Sequence, residues 1–268
     1  MPNIELINRS ICRDFKAALF DFDGTISLIR EGWQPIMHSY FTEVLAEASP
    51  GEPVEQIEAL VKEYIDRSTG IQTIYQCIWL AEAVAARGSC PLNPFKYKEE
   101  YNRRLLAHIS HRVQALKSGE ASPEEYLVRG SVELLAELRQ RGLTLYLASG
   151  TDHRYVVDEA EALGISEYFN GGVYGAVDDY TKFSKAQVIR ELILPHIPSG
   201  WALLGFGDGF VEIECVKQVG GIAVGVASDE KRRAGVDTWK RERLVKAGAD
   251  VIVGDYTASE ELLAALFG

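Results

Sequence analysis

Positive charge is what this sequence is short of. Its 268 residues carry 28 lysines and arginines against 39 aspartates and glutamates, a formal net charge of −11. Affinity for nucleic acid comes mainly from neutralising phosphates with Lys and Arg, so the deficit argues against that class of partner. It leaves room for a small anion, which one local cluster of cationic and N–H groups can hold. Long apolar runs are lacking too. None approaches the roughly 18 residues of a spanning helix, and residues 1–16 contain no apolar segment of the signal-peptide kind. Neither a membrane span nor a secretion signal is expected. Cysteine is sparse: Cys12, Cys77, Cys90 and Cys215 are all there is, and no two form a C-x-x-C pair. A chain this long buries a sizeable core without disulfides, so free thiols and a reducing cytoplasm are expected. Internal repeats and low-complexity tracts are absent, and the oligomeric state is not legible.

What is present falls into two kinds of pattern. Residues 16–22 (KAALFDF) read as a buried strand running into an Asp-Gly-Thr loop, with a minor strand at 4–6. From about 34 to 121 the apolar spacing is helical: Ile57, Leu60, Val61, Tyr64 and Ile65; then Ile71, Ile74, Tyr75 and Ile78; then Tyr101, Leu105, Ile109 and Val113. Breaks fall at 49–51, 68–70 and 88–94, and no segment there reads as a strand. That is the pattern of a helical bundle. After Gly130 strands and helices alternate. Strands are expected at 143–148, 201–206, 222–226 and 251–253, with helices at 132–141, around Val156–Leu163, from 185 to 194 and at 259–266. Such alternation predicts a parallel sheet covered on both faces. The expected fold is therefore α/β: a doubly wound, Rossmann-like parallel sheet (1–30 and 126–268) with an inserted all-helical domain (31–125). Ligands of such sheets bind beyond the carboxyl ends of the strands.

Four motifs fall at those ends. The first is Asp21-Phe22-Asp23-Gly24-Thr25. At ordinary residue frequencies D-x-D-G-T arises by chance at about one position in 10⁵, although Asp-Gly is also a common turn dipeptide. Residues i and i+2 of a strand share a face, so Asp21 and Asp23 leave the strand as a pair. Two close carboxylates repel unless a cation intervenes, and Mg²⁺ commonly bridges carboxylate and phosphate. The second motif, Ser149-Gly150-Thr151, offers a hydroxyl and an approachable N–H ahead of a helix start, where anions are favoured; a plain helix cap explains it equally well. The third is Lys185, inside the capping-box pattern Ser184-x-x-Gln187. A cation in a first helical turn is disfavoured, and an anionic partner would reverse this. A solvated surface lysine is the competing reading, and Lys182 is the rival for the same role. The fourth is Gly207-Asp208-Gly209-Phe210-Val211-Glu212. Asp208 would bind Mg²⁺ directly or merely form a turn. Glu212, one helical turn on, would act on the metal or on its ligands.

With these four in this order, the chain resembles the haloacid dehalogenase-like (HAD) hydrolase superfamily, in its phosphatase branch with a helical cap after the first motif. The resemblance covers the whole chain in outline. It implies a nucleophilic Asp21 that forms an aspartyl-phosphate. It makes Asp23 the general acid and then the base. Mg²⁺ would be held by Asp21, the Asp23 carbonyl and Asp208. The phosphoryl group would be bound by Ser149, the Gly150 N–H and Lys185. The Asp at position 23 points, by the same resemblance, to phosphate esters or phosphomutases, since relatives acting on carbon–halogen or carbon–phosphorus bonds lack it. Glu212 stands where many relatives have Asp. The function expected is Mg²⁺-dependent hydrolysis of a small phosphorylated metabolite, such as a sugar phosphate or a phosphoglycolate-like acid. A phosphomutase of sugar phosphates is the alternative, and a non-catalytic phosphate-binding module the third.

The helical insert offers weaker signals. Arg30, with Glu31 and Trp33, lies in the connecting segment. Gln72, Thr73 and Gln76 interrupt an apolar helix expected to start at Gly70. Buried polar groups need partners, and either a substrate or neighbouring helices would supply them. Tyr75, Trp79 and Tyr101 read as core of this insert. His108 and His111 (H-x-x-H) lack an evident third ligand, and His153 is compatible with a plain surface position.

Overall fold

The computed structural model describes residues 4–268; residues 1–3, which the sequence reading assigns to the α/β domain, lie outside the described residues. The described residues divide into two compact units, 4–31 with 112–268, and 32–111.

The first unit is built on seven strands: β1 (Ile4–Leu6), β2 (Ala17–Phe20), β3 (Thr144–Asp152), β4 (Gly172–Ala176), β5 (Leu203–Gly207), β6 (Ile222–Val226) and β7 (Val251–Val253). They form one sheet in the order β1-β7-β6-β5-β2-β3-β4. All pairs are parallel except β1 with β7. This is the α/β, doubly wound Rossmann-like sheet expected. The chain runs outward from β2 through β3 and β4, then returns to β5 on the other side. β2 thus lies at the switch point, where open α/β sheets bind ligands.

The short strand β2 is apolar throughout because both its faces are covered. Ala17, Ala18, Leu19 and Phe20 are all fully buried. Phe20 stacks on Phe206 at 4.4 Å and meets Phe169 edge-on at 6.0 Å. Burying one such ring contributes about 1.5–3 kcal/mol. Around the sheet run α5 (Ser131–Gln140), α6 (His153–Ala162), α8 (Phe210–Gln218), α9 (Thr238–Ala247) and α10 (Ser259–Phe267). Between α6 and α8, the helix expected over 185–194 is wound in three ways. An α turn, α7 (Lys185–Gln187), passes into a π-helix (Val188–Ile193) and then a 3-10 turn (Leu194–His196). Pro195 lies in that last turn, where it cannot donate a helical hydrogen bond. β4 was missed by the sequence reading, because glycines flank and interrupt it (Gly171-Gly172-Val173-Tyr174-Gly175). Trp201, expected in β5, instead belongs to a 3-10 turn and is 41% exposed.

The second unit is helical: α1 (Trp33–Ala48), α2 (Val54–Ser68), α3 (Thr73–Ala86) and most of α4 (Pro94–Ser118). Its core is aromatic. Trp79 stacks on Tyr64 at 3.7 Å and on Phe41 at 6.1 Å, and Tyr101 is buried. Tyr75 corrects the expectation, being 41% exposed. Two arginines fasten the outside: Arg87 to Glu52, and Arg104 to Glu43 and Glu100.

Candidate active site

β2 is flanked by β3 and β5, and the register decides what meets at their ends. Phe20 pairs with Leu147 on one side and Phe206 on the other. The Asp21 N–H still donates to the Phe206 carbonyl, at 2.9 Å. Neighbouring strands lie about 4.8 Å apart. Asp21 and Asp208, which follow the ends of β2 and β5, and Ser149, near the end of β3, therefore lie at the same edge of the sheet, although they are far apart in sequence.

Asp21 is buried, and its Oδ1 accepts a hydrogen bond from Lys185 Nζ at 2.7 Å. Lys185 is buried as well, and its Nζ also lies against Glu212 Oε1. Lys182, the rival, is an exposed partner of Asp179. The Ser184 hydroxyl accepts from the Gln187 N–H at 3.1 Å, which forms half of the capping box. The reciprocal half is not made: the Gln187 side chain donates to the Thr181 carbonyl. Glu212, in the first turn of α8, is buried and meets the lysine.

Asp23 faces the second motif. Its Oδ2 accepts from Ser149 Oγ at 3.1 Å and from Thr151 Oγ1 at 2.9 Å. Ser149 Oγ in turn accepts from the Thr151 N–H. Gly150 lies between these two hydroxyls, in the last residues of β3. Asp23 Oδ1 is buried without a hydrogen bond, 3.8 Å from Arg30 Nε. Arg30 is itself buried and forks onto Glu159 of α6, with contacts from 2.6 to 3.1 Å. Its guanidinium also lies over the Tyr155 ring. Burial raises the Glu159 carboxyl to about 6, against the pull of Arg30.

Asp208 has a partner that the sequence reading did not find. Its Oδ2 accepts from Lys240 Nζ at 2.8 Å. That ammonium also donates to Glu230 Oε1 at 2.7 Å and reaches Ser228 Oγ at 3.3 Å. Ser228 Oγ donates to the Gly24 carbonyl at 2.6 Å. Gly24 has φ +74°, and a Cβ there would fall 2.3 Å from Asp208 Oδ2. Only glycine takes this backbone conformation at no cost and leaves that room. Tyr256, fully buried, donates to the Thr25 carbonyl at 3.0 Å and so braces the loop. No local pattern marks Lys240. It lies in Thr238-Trp239-Lys240-Arg241-Glu242-Arg243, which reads as a solvated helix face.

The electrostatics of this cluster favour a cation. Burial pushes the Asp21 carboxyl up to about 7; Lys185 opposes the shift, while Asp208 and Asp23 add to it. Burial also raises Glu230. At Lys240 burial works against the charge, but Asp208 and Glu230 outweigh it and hold the ammonium above its ordinary range. Lys185, Lys240 and Arg30 face Asp21, Asp23, Asp208, Glu159, Glu212 and Glu230. Carboxylates outnumber cations there, and Asp23 Oδ1 has no hydrogen-bond donor. A hard divalent ion with oxygen ligands suits that imbalance. Among the described residues, no three His, Cys, Asp or Glu side chains are grouped to hold a metal by themselves. An oxygen set at this place would need a backbone carbonyl as well.

Among the remaining candidates, Gln72, Thr73 and Gln76 belong to the helical unit. Gln72 is the residue before α3, Thr73 is its first residue, and Gln76 donates to the Ser68 hydroxyl at 3.1 Å within the helical unit. α3 thus starts at Thr73, not at Gly70. Glu31 pairs with Arg112 at 3.5 Å, Trp33 opens α1, and His153 is an exposed residue at the start of α6.

Residues 15–220 match the family model described as haloacid dehalogenase-like hydrolase. The chain belongs to this family. Solved structures share its fold at low identity. A β-phosphoglucomutase from Clostridium difficile is 15% identical, with a TM-score of 0.61, over 94% of this chain and 97% of the other. A protein named as a predicted phosphoglycolate phosphatase from Haemophilus somnus is 15% identical, with a TM-score of 0.58, over 93% and 98%. A protein named as a predicted phosphatase from Clostridium acetobutylicum is 16% identical, with a TM-score of 0.60, over 94% and 99%. No curated protein matches the chain. Among the described residues, no helix of this HAD-like hydrolase is long and apolar enough to cross a membrane.

Proposed function

We propose that this HAD-like hydrolase is a Mg²⁺-dependent phosphatase of a small phosphorylated metabolite, working through an aspartyl-phosphate on Asp21. The observation that carries the reading is the pairing at the strand ends. Asp21 is buried against Lys185, while Asp23, two residues on, is held by two hydroxyls in a different environment. Carboxylates in different surroundings can take different roles at one pH.

In the first step an Asp21 oxygen bonds to phosphorus as the ester P–O bond breaks, and the Asp23 carboxyl gives its proton to the departing oxygen. In the second step water attacks the aspartyl-phosphate, Asp23 takes a proton from it, and inorganic phosphate leaves. Splitting the reaction in this way is what a carboxylate nucleophile offers. The Lys185 ammonium, the Ser149 hydroxyl and the Gly150 N–H would neutralise and position the transferring group, which is most of what phosphoryl transfer requires. Mg²⁺, held by Asp21, Asp208 and the Asp23 carbonyl, would offset the carboxylate surplus and the charge of the phosphoryl oxygens. The helical insertion, entering directly after the first motif, is proposed as the cap that selects the substrate. The four free cysteines agree with a cytoplasmic setting.

Phosphate release in Mg²⁺ across a panel of phosphorylated sugars, acids and nucleotides tests this. Turnover on a narrow subset is expected, with Asp21→Asn slower by on the order of 10⁴-fold or more, the scale of nucleophile deletions. Unchanged turnover in Asp21→Asn would sink the mechanism. Bisphosphate-dependent isomerisation with little phosphate release would instead identify a phosphomutase.

A further inference from the structure

Lys240 is not in any of the four motifs, yet it forms one of the most connected side-chain junctions of the site. It projects from α9, whose start is fixed by Asp237: that carboxylate accepts from the Lys240 backbone N–H at 2.9 Å. The side chain is buried. Its ammonium bonds Asp208 from the β5 loop together with Glu230 and Ser228 from the loop after β6. Through Ser228 it reaches the Gly24 carbonyl of the first motif, 204 residues away in sequence from Ser228. Gly24 leaves only enough space for this arrangement, since a Cβ would lie 3.1 Å from the ammonium.

An ammonium with three donors uses them here on three oxygens, which leaves the carboxylate of Asp208 little freedom to rotate. Glu230 balances the lysine's charge, so the junction fixes a direction without adding a net cation beside Asp208. The two lysines of the site therefore divide the work. Lys185 faces Asp21, where the phosphoryl group would be transferred. Lys240 faces Asp208, the carboxylate assigned to the metal.

We propose that Lys240 is a positioning residue for the metal site: it fixes Asp208 for the divalent cation, and Glu230 keeps that lysine electrically neutral in its surroundings. The inference rests on the assignment of Mg²⁺ to Asp21 and Asp208. Partners that orient a metal ligand typically contribute 10–100-fold to metal affinity.

The test is direct metal binding by the full chain without substrate. Free Mn²⁺ is followed by electron paramagnetic resonance, with Mg²⁺ as competitor. Lys240→Met alone strands the buried Glu230, so the informative variant is Lys240→Met with Glu230→Gln, which removes both charges. The expected result is a metal Kd weakened about 10–100-fold, with turnover returning toward wild type at saturating Mg²⁺. Glu230→Gln alone keeps the Lys240–Asp208 bond but leaves the ammonium unbalanced beside Asp208, so a weakening of the metal Kd smaller than the double variant's is expected. A purely structural role would lower the melting temperature and leave the metal Kd unchanged; that outcome overturns the inference. So does equal weakening in Glu230→Gln alone, which would make Glu230 the positioning residue. Failure of the wild-type protein to bind Mn²⁺ or Mg²⁺ would remove both the inference and the metal assignment beneath it.

Discussion

Lys185 and Lys240 are two solutions to one problem. Each is a buried lysine held between two carboxylates, Asp21 and Glu212 in one case, Asp208 and Glu230 in the other. Lys185 arrives at the first turn of a helix, with a Ser cap beside it and a strand-ending motif on either side in the sequence. Lys240 arrives from the first turn of α9, among charged neighbours that face solvent. Burial and ion pairing are alike in both; the local sequence around them is not. A pattern in sequence reports how the chain turns at a residue, but not which distant carboxylate meets it.

The sharpest way to break the likeness is to remove each ammonium. Lys185→Met should lower kcat by about 10²–10³-fold, the scale for deleting one group that stabilises developing charge. Saturating Mg²⁺ should not restore it, whereas it should restore the Lys240→Met, Glu230→Gln variant. Steady-state kinetics over a Mg²⁺ series separates the two; equal metal rescue of both would erase the division of roles.

Gly24 packs on the Lys240 side, where an added Cβ would meet Asp208 and the lysine's ammonium. Gly24→Ala forces a side chain into the left-handed region, at about 1–3 kcal/mol, and pushes against Asp208. A melting-temperature drop together with weakened metal binding is expected, measured by calorimetry and by the same Mn²⁺ titration. A variant as stable as wild type with an unchanged metal Kd would mean that the loop yields freely.

The Arg30–Glu159 pair sets a buried arginine beside the two lysines, and burial raises its carboxylate too. The Glu159 carboxyl is raised from 4.5 to about 6 in the folded protein. Between those values the folded state binds more protons than the unfolded chain. This group's contribution is therefore complete below pH 4.5 and declines by on the order of 2 kcal/mol as pH rises through 6. Glu159→Gln should lack that decline. Denaturant unfolding of both proteins at pH 4.5, 5.5 and 6.5 reads the effect, and parallel pH profiles would refute it.

Much of the α/β unit was legible because its elements announce themselves locally. The apolar run before Asp21 and the runs at 222–226 and 251–253 are buried strands, as their composition demands. β4 was not, because Gly172 and Gly175 carry no side chain to show a pattern. The helix at 185 was legible only at its start, since nothing in Val188–Ile193 marks a π-helix. At the site, order and position single out Asp21, Asp23, Ser149, Lys185 and Asp208 as candidates, and the structure gives each of them a polar partner there. Ser228, Glu230 and Lys240 carry no such signal, because their contacts arise across the sheet order. Glu159 illustrates the same limit: on α6 it looks like a solvated acid and is instead sealed against Arg30.

Tyr256 adds a consequence for timing. Its hydroxyl holds the Thr25 carbonyl from 231 positions along the chain, and Ser228 holds Gly24 from 204. Neither bond can form before both of its residues have been made. On the ribosome, where chains emerge from the amino end, the first motif is made early but waits for nearly the whole polypeptide before its loop is braced. A nascent chain cut short before Tyr256 would carry all four motifs and still lack a finished site.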